Sequence, residues 1–136
     1  MSSAKLILSN QLSEFSKLSS FWQKLASQKD LEANLSLQVE VCLDEIFTNI
    51  VSYAYQDNKE HKIEVEFDFQ ENKLQIRIID NGEEFDPTTS LEPELISSIE
   101  ERSIGGLGIH MVRKIMDKLI YERKQNKNIL ILQKYL

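Results

Sequence analysis

The sequence has a single cysteine, Cys42, so an internal disulfide is excluded and nothing implies an oxidising compartment or redox chemistry. Cys42 lies in the helical pattern VEVCLDEIF, which favours a small buried side chain over a reactive thiol. Long apolar runs are also missing, and the first thirty residues contain none longer than a few residues. That absence argues against a signal peptide or a membrane span and leads us to expect a cytoplasmic protein.

Positive charge is scarce as well, with a net charge of −6 and a pI of about 5.0. We therefore do not expect nucleic acid as a partner, since affinity for a phosphate backbone needs clustered Lys and Arg. The negative charge is concentrated in residues 83–101, which have no Lys or Arg. A solvated face is the simpler interpretation of this block, and a surface that docks a protein partner is the alternative. Its acidic residues are Glu83, Glu84, Asp86, Glu92, Glu94, Glu100 and Glu101.

Length and composition predict one ordinary globular domain over residues 1–136, because 41% of the residues are hydrophobic and 28% charged. Apolar residues recur with helical spacing in three segments and alternate with polar ones in two pairs of segments. The predicted elements are a strand at 4–9, a helix at 15–28, a second region that opens near residue 31 and is most strongly helical at 39–55, a hairpin at 63–78, a loop with a short helical piece at 88–102, a helix at 109–119, and a hairpin at 119–136 that turns at QNKN, residues 125–128.

This order predicts an α+β fold in which helices cover one face of a mixed, mostly antiparallel sheet as a two-layer sandwich. Hairpins require antiparallel pairing, and the βαβ alternation of a Rossmann domain is absent. Trp22 recurs with its apolar neighbours at helical spacing, so we expect it in the core.

The first candidate cluster lies on the helix at 39–55, where Glu45 and Asn49 are one turn apart and share a face. Magnesium commonly takes only one or two protein oxygens together with substrate phosphates, so the Asn49 amide oxygen can be sufficient. Glu45 could then act as a base towards a hydroxyl or water. Polar residues on a helix flank are more often simply solvated, and this interpretation stays open for the pair taken alone.

The second cluster is IIDNGEEFDP, residues 78–87, where Asp80 ends an apolar strand ahead of a glycine turn. A carboxylate at this sheet edge can accept a hydrogen bond from an exocyclic amine such as that of adenine, and Gly82 would let a flat ring approach the backbone. An ordinary turn is the alternative.

The third cluster is SIGGLGIHMVRKIMD, residues 103–117, in which glycines precede a predicted helix. Free amides and the positive end of the helix dipole attract phosphate, and glycine removes the side chains that would hold a phosphate away. No Walker lysine is present, so magnesium would have to supply the positive charge. A flexible loop leading into a helix explains the pattern equally well when the segment is considered alone. The glycines are Gly105, Gly106 and Gly108.

In order and spacing, DEIFTNIVSYAY, DNGEEFDP and GGLGIHMVRKIMD resemble the N, G1 and G2 boxes of the GHKL ATPase superfamily, which has the Bergerat fold. The short lid, the FDP after G1 and the ending NILILQK resemble the bacterial anti-sigma-factor serine/threonine kinases of the partner-switching type. The resemblance covers residues 5–135. Two positions depart from the superfamily pattern: Glu84 stands where a second glycine is common, and Ser52 where many members have histidine.

The resemblance implies a role for each matched residue and implies ATP and Mg²⁺ as cofactors. Glu45 would be the general base, Asn49 the magnesium ligand and Asp80 the adenine-contacting carboxylate beside Gly82. The lid glycines Gly105, Gly106 and Gly108 would meet the phosphates through their backbone. From its charge alone, Arg102 could reach the terminal phosphate.

The resemblance further implies a kinase that phosphorylates a STAS-domain anti-anti-sigma protein and binds a sigma factor, with no nucleic acid or membrane partner and with a homodimer compatible with the pattern. The alternative is a non-catalytic module that sequesters a sigma factor or other signalling protein, with weak nucleotide binding or none. The ATP-binding half of a sensor histidine kinase is a third interpretation, which we disfavour because no phosphoacceptor helix pair precedes the domain.

Overall fold

The computed structural model describes residues 2–89 and 107–136, which form a five-stranded sheet and three helices. The strands are β1 (Ser2–Ser9), β2 (Lys62–Gln70), β3 (Lys73–Asp80), β4 (Lys118–Lys124) and β5 (Lys127–Tyr135), and the helices are α1 (Phe15–Gln28), α2 (Ala33–Tyr53) and α3 (Leu107–Ile115). Short 3-10 turns lie at Leu12–Glu14 and Pro87–Thr89. Among the described helices, none is both long and apolar enough to cross a membrane.

The sheet has the strand order β1-β2-β3-β5-β4, with every neighbouring pair antiparallel. The α+β prediction is confirmed, although the described strands contain no parallel neighbours of the kind that a mixed sheet would have. The central hairpin follows from its alternating sequence, because Val65 pairs with Ile78 and Phe67 with Ile76, and all four side chains are buried on one face.

The helices cover that same face and complete the hydrophobic core. Trp22 of α1 is fully buried, stacks on Phe67 with ring centroids 5.6 Å apart, and donates its Nε1–H to the Ser36 carbonyl at 2.9 Å. Its predicted core position is therefore confirmed. Cys42 of α2 is also buried, and this burial raises its pKa to about 12, which keeps the thiol inert.

Helix α2 begins at Ala33, within the region predicted to open near residue 31, and the exposed Leu37 and Val41 explain why its first turns are less regularly apolar than its later ones. One helix boundary differs from the prediction. Helix α3 ends at Ile115 and not at 119, since the Asp117 N–H already donates to the Gln133 carbonyl at 2.9 Å and so starts the pairing of β4 with β5. The predicted helical piece within 88–102 lies outside the described residues, apart from the turn that ends at 89.

Candidate active site

A cavity of about 210 Å³ lies between α2, the end of β3 and the strands β4 and β5. It contains two of the predicted site residues, Asn49 and Asp80, which come from separate layers of the fold. The described residues that line it are Ile46, Asn49, Ile50, Tyr53, Ala54, Asp80, Glu83, Glu84, Phe85, Pro87, Ile109, Tyr121, Asn128 and Leu130. Its wall is therefore largely apolar, with a few polar groups at defined places, as is common for small-molecule sites.

On the helix side of the cavity, Glu45 and Asn49 meet as their spacing predicts. The Asn49 Nδ2 donates to Glu45 Oε1 at 3.0 Å, and both side chains are half-buried. Because the amide nitrogen is used by Glu45, the Asn49 oxygen is the atom that remains for a cation. Within residues 2–89 and 107–136, no group of three or more histidine, cysteine, aspartate or glutamate side chains is arranged to hold a metal ion.

The start of α3 lies directly against the Glu45 carboxylate. A Cβ atom built at Gly108 would overlap the Glu45 carboxyl group, so only glycine fits there while Glu45 keeps its place. Gly108 is the second residue of α3, so its backbone lies at the start of this helix as the structure describes it. The N-box carboxylate and the opening of the G2 helix are thus in contact.

On the sheet side of the cavity, Asp80 is buried with an exposed fraction of 5%. We predicted it at the sheet edge, but β3 is the central strand, so Asp80 lies at the strand's end inside the fold. Its Oδ1 accepts the Gly82 N–H at 2.9 Å and the Asn128 Nδ2–H at 3.0 Å. Burial raises the pKa of Asp80, and the hydrogen bonds from Asn128 and Gly82, together with the charge of Arg123, oppose that rise.

Gly82 is needed for packing against the end of α2. A Cβ atom at this position would lie 2.5 Å from Ala54 Cβ and 2.6 Å from the Ala54 oxygen. The next residue, Glu83, donates its N–H to the same Ala54 oxygen at 2.8 Å. The space that glycine leaves is therefore occupied by Ala54, and the approach of a purine to Gly82 stays a prediction.

The structure adds Asn128 to the site, a residue that the sequence reasoning placed in the QNKN turn. The turn is instead Gln125–Asn126, where both residues have positive φ, and Asn128 lies inside β5 opposite Asp80. The only signal in the sequence was a polar residue at the head of the apolar run ILIL, and without the strand register that signal does not lead to Asp80.

Helix α3 is also tied to the chain that follows β3. The Arg113 Nη2 donates to the Pro87 carbonyl at 3.0 Å and to the Thr88 carbonyl. The lid residues Gly105 and Gly106 and the cation Arg102 lie outside the described residues, so of the predicted phosphate-binding glycines the structure places only Gly108.

Sequence comparison assigns most of the chain to a known type of domain. The profile of the histidine kinase-like ATPase domain matches residues 8–134. BtrW of Bordetella bronchiseptica, which is named a serine/threonine-protein kinase, is 31% identical over 113 residues, covering 82% of this chain and 80% of BtrW. RsbW of Listeria innocua, named a serine-protein kinase, is 31% identical over 104 residues, covering 72% of this chain and 66% of RsbW, slightly less than two thirds of its length.

Structure comparison gives the same fold. The catalytic domain of the histidine kinase ThkA aligns with 99% of this chain and 96% of that domain, with a TM-score of 0.58 and 14% sequence identity. At this identity the likeness concerns the arrangement of helices and strands alone.

Proposed function

The chain belongs to the histidine kinase-like ATPase family, and on this premise we propose that it is an ATP-dependent serine/threonine protein kinase and anti-sigma regulatory factor. Its protein substrate in this proposal is a STAS-domain anti-anti-sigma antagonist that competes with a sigma factor for the kinase. Relatives named as serine or serine/threonine kinases support this proposal. The observation that carries it is one cavity lined by both Asn49 and Asp80, with Glu45 bonded to Asn49 beside Gly108.

The residues present fit a nucleotide whose base enters the cavity. A volume of about 210 Å³ is below the roughly 300–1,000 Å³ of pockets for whole drug-sized ligands, which suits a purine ring with its phosphates outside. Asp80 offers that ring a buried hydrogen-bond acceptor. The phosphates would extend towards Gly108, where the start of α3 presents free amides and the positive end of its dipole.

Magnesium also fits, through the Asn49 amide oxygen together with phosphate oxygens. When bound, it supplies positive charge that stabilises the negative charge developing on the phosphates. The chain's own contribution to transfer is then a base and its placement. Glu45 takes the proton from the partner's serine or threonine hydroxyl as that oxygen bonds to the γ-phosphorus and the bond to the β-phosphate oxygen breaks, releasing ADP.

Two contacts would hold Glu45 ready for this step. The Asn49 Nδ2–H fixes Oε1 at 3.0 Å, which leaves the second carboxylate oxygen to accept a proton. The absence of a side chain at Gly108 gives the carboxylate room beside the helix start. The position of the Glu45 carboxylate therefore depends on residues from two different helices.

The test is transfer of label from γ-labelled ATP to purified candidate STAS proteins. Glu45→Gln should abolish transfer, while Asp44→Asn should not, because Asp44 is the exposed neighbour on α2 whose carboxylate bonds only to Thr48 among the hydrogen bonds described, at 3.0 Å. A STAS protein that binds the chain and yet receives no label from it would contradict the kinase proposal.

A second candidate, a non-catalytic module that sequesters a sigma factor, is favoured by the acidic side of the cavity. Glu83 and Glu84 both line it, and their charges would repel a triphosphate. Thermal-shift titrations with Mg-ATP and Mg-ADP separate the two candidates, because a ligand that binds the native state raises the melting temperature with concentration. A flat response would leave only the binding module.

The remaining expectations are part of the same proposal. Residues 1–136 would act as one ATP-binding domain, and the location would be cytoplasmic, where ATP and sigma factors are found. A homodimer is compatible with β1, which forms one edge of the sheet and leaves Ile7 51% exposed. Sedimentation analysis of the purified chain tests this last point.

A further inference from the structure

Asn128 lies where three strands meet at the cavity. It pairs in register with Asp80 of β3 on one side and with Arg123 of β4 on the other. Its side chain is only 6% exposed, and it forms part of the cavity wall. A buried polar side chain at such a junction needs hydrogen-bond partners, and the identity of those partners determines what it can do.

The partners of Asn128 fix which end of its amide faces Asp80. The Nδ2 donates to Asp80 Oδ1 at 3.0 Å and to the Glu83 carbonyl at 2.8 Å, and the carbonyl is a group that can only accept. The Oδ1 accepts from Arg123 at 3.1 Å and from the Phe85 N–H at 3.4 Å, two groups that can only donate. A flipped amide would place its oxygen against the Glu83 carbonyl and its NH₂ group against the Arg123 and Phe85 donors. The observed orientation is therefore the only one in which both ends of the Asn128 amide form hydrogen bonds.

The fixed N–H of Asn128 favours the ionised form of Asp80. A carboxylate can only accept hydrogen bonds, whereas a protonated carboxyl group can also donate one. Facing the cavity, an ionised Asp80 would recognise an amino group, and a protonated Asp80 could instead recognise a keto oxygen. Burial favours the protonated form by raising the pKa of Asp80, and the Asn128 hydrogen bond is the largest influence that opposes it.

We propose that Asn128 is a positioning residue for base specificity, which holds Asp80 as a pure hydrogen-bond acceptor so that the cavity selects a 6-amino purine over a 6-keto purine. The inference rests on the proposed function, since it assumes that a purine nucleotide enters the cavity. Asn128 acts through Asp80. Its substitution should therefore change the ratio of the affinities for the two purines more than it changes the binding of the phosphates.

The test compares the affinities for ATP and inosine triphosphate, which carries a keto oxygen in place of the 6-amino group. The wild type should prefer ATP by about 100-fold or more, because a site built for one hydrogen-bond pattern rejects the opposite pattern strongly. In Asn128→Asp, two carboxyl groups about 3 Å apart share a proton, so Asp80 becomes a partial donor. The preference for ATP should then fall to roughly 10-fold or less.

The matched control is Gln133→Glu. Gln133 lies on the same strand and donates to Gln75 Oε1 of β3 at 2.8 Å, so this change also replaces a cross-strand amide by a carboxylate, away from the cavity. It should keep the wild-type preference. In Asn128→Asp the preference should also vary with pH, because the two carboxyl groups lose their shared proton as pH rises.

Each outcome separates the inference from the proposed function. Equal weakening of both nucleotides in Asn128→Asp, with the preference unchanged, would reduce Asn128 to a structural residue and overturn the inference alone. Absence of nucleotide binding by the wild type would overturn both. If Asn128→Asp does not fold, Asn128→Ser serves instead, because it removes the amide that donates to Asp80 Oδ1 at 3.0 Å and leaves a hydroxyl that can either donate or accept. It should lower the preference about threefold or more, and an unchanged preference would overturn the inference.

Discussion

The two ends of the cavity are held by different kinds of contact. Glu45 and Asn49 are half-buried and lie one turn apart on a single helix, with one hydrogen bond between them. Asp80 and Asn128 are buried on adjacent strands and belong to a network that includes Arg123, Tyr121 and the backbone of 82–85. The helix end therefore has little influence on folding and is free to serve chemistry. At the sheet end, the proposed recognition of the base and the stability of the fold would depend on the same bonds.

The largest expected effect comes from substitutions at the helix end, Glu45 and Asn49, which should change activity and leave the fold intact. Glu45→Ala should lower phosphotransfer by about 10²–10⁴-fold, the usual contribution of a general base, and leave ATP affinity unchanged. Asn49→Ala should instead abolish magnesium-dependent nucleotide binding, because it removes the only amide oxygen proposed for the metal. Calorimetry with Mg-ATP, together with a label-transfer assay, measures both. Unchanged Mg-ATP affinity in the Asn49 variant would reject its assignment.

The next largest effect comes from a substitution at the sheet end, where Asn128 contributes to stability. Asn128→Leu should lower the free energy of unfolding by about 3 kcal/mol, because it removes one of the two donors to the buried Asp80 carboxylate, leaving only the Gly82 N–H, and also removes the side-chain donor to the Glu83 carbonyl. Urea denaturation of the variant beside Glu45→Ala measures the contrast. A loss in Glu45→Ala as large as that in Asn128→Leu would contradict the difference between the two ends.

A smaller effect sharpens the description of the helix end. In Gly108→Ala, the new methyl group would displace the Glu45 carboxylate, which is the flexible end of a half-buried side chain. We expect phosphotransfer to fall about tenfold or more while the free energy of unfolding changes by less than about 1 kcal/mol. Rate assays and urea denaturation check this. A rate equal to that of the wild type would show that the contact between Glu45 and α3 is irrelevant to the reaction.

The smallest effect concerns pH at the sheet end. Because burial raises the pKa of Asp80 in the folded state, the folded chain binds more protons there than the unfolded chain, and its stability falls as pH rises from about 4 through the raised pKa. Asp80→Asn removes this contribution. The difference in unfolding free energy, variant minus wild type, should therefore increase with pH over that window. A difference that decreases would show that the pKa is lowered instead.

The helix end was readable from the sequence because its contacts are local. A spacing of four residues on a strongly periodic segment brings Glu45 and Asn49 together whatever the rest of the fold does. The alternating runs likewise gave the central hairpin, since each strand there is next to its neighbour in the chain. The first turns of α2 gave a weaker helical signal than the later ones because Leu37, 62% exposed, lies off the apolar stripe.

The sheet end could not be read in this way. Asn128 meets Asp80 only through the register of β3 against β5, two strands that are separated in the chain by α3 and β4. Gly82 was recognised as a residue that admits a close neighbour, but the neighbour is Ala54, at the far end of another element. Both facts depend on how distant segments align, which composition and periodicity do not specify.

The contact between Ala54 and the 82–83 turn joins the end of α2 to the chain that follows β3. Ala54 caps α2, and its carbonyl accepts the Glu83 N–H at 2.8 Å while its methyl group fills the space beside Gly82. A slide of α2 along its own axis would push the turn that carries the Asp80 hydrogen bonds. The sizes of residues 54 and 82 should therefore vary together among homologous chains.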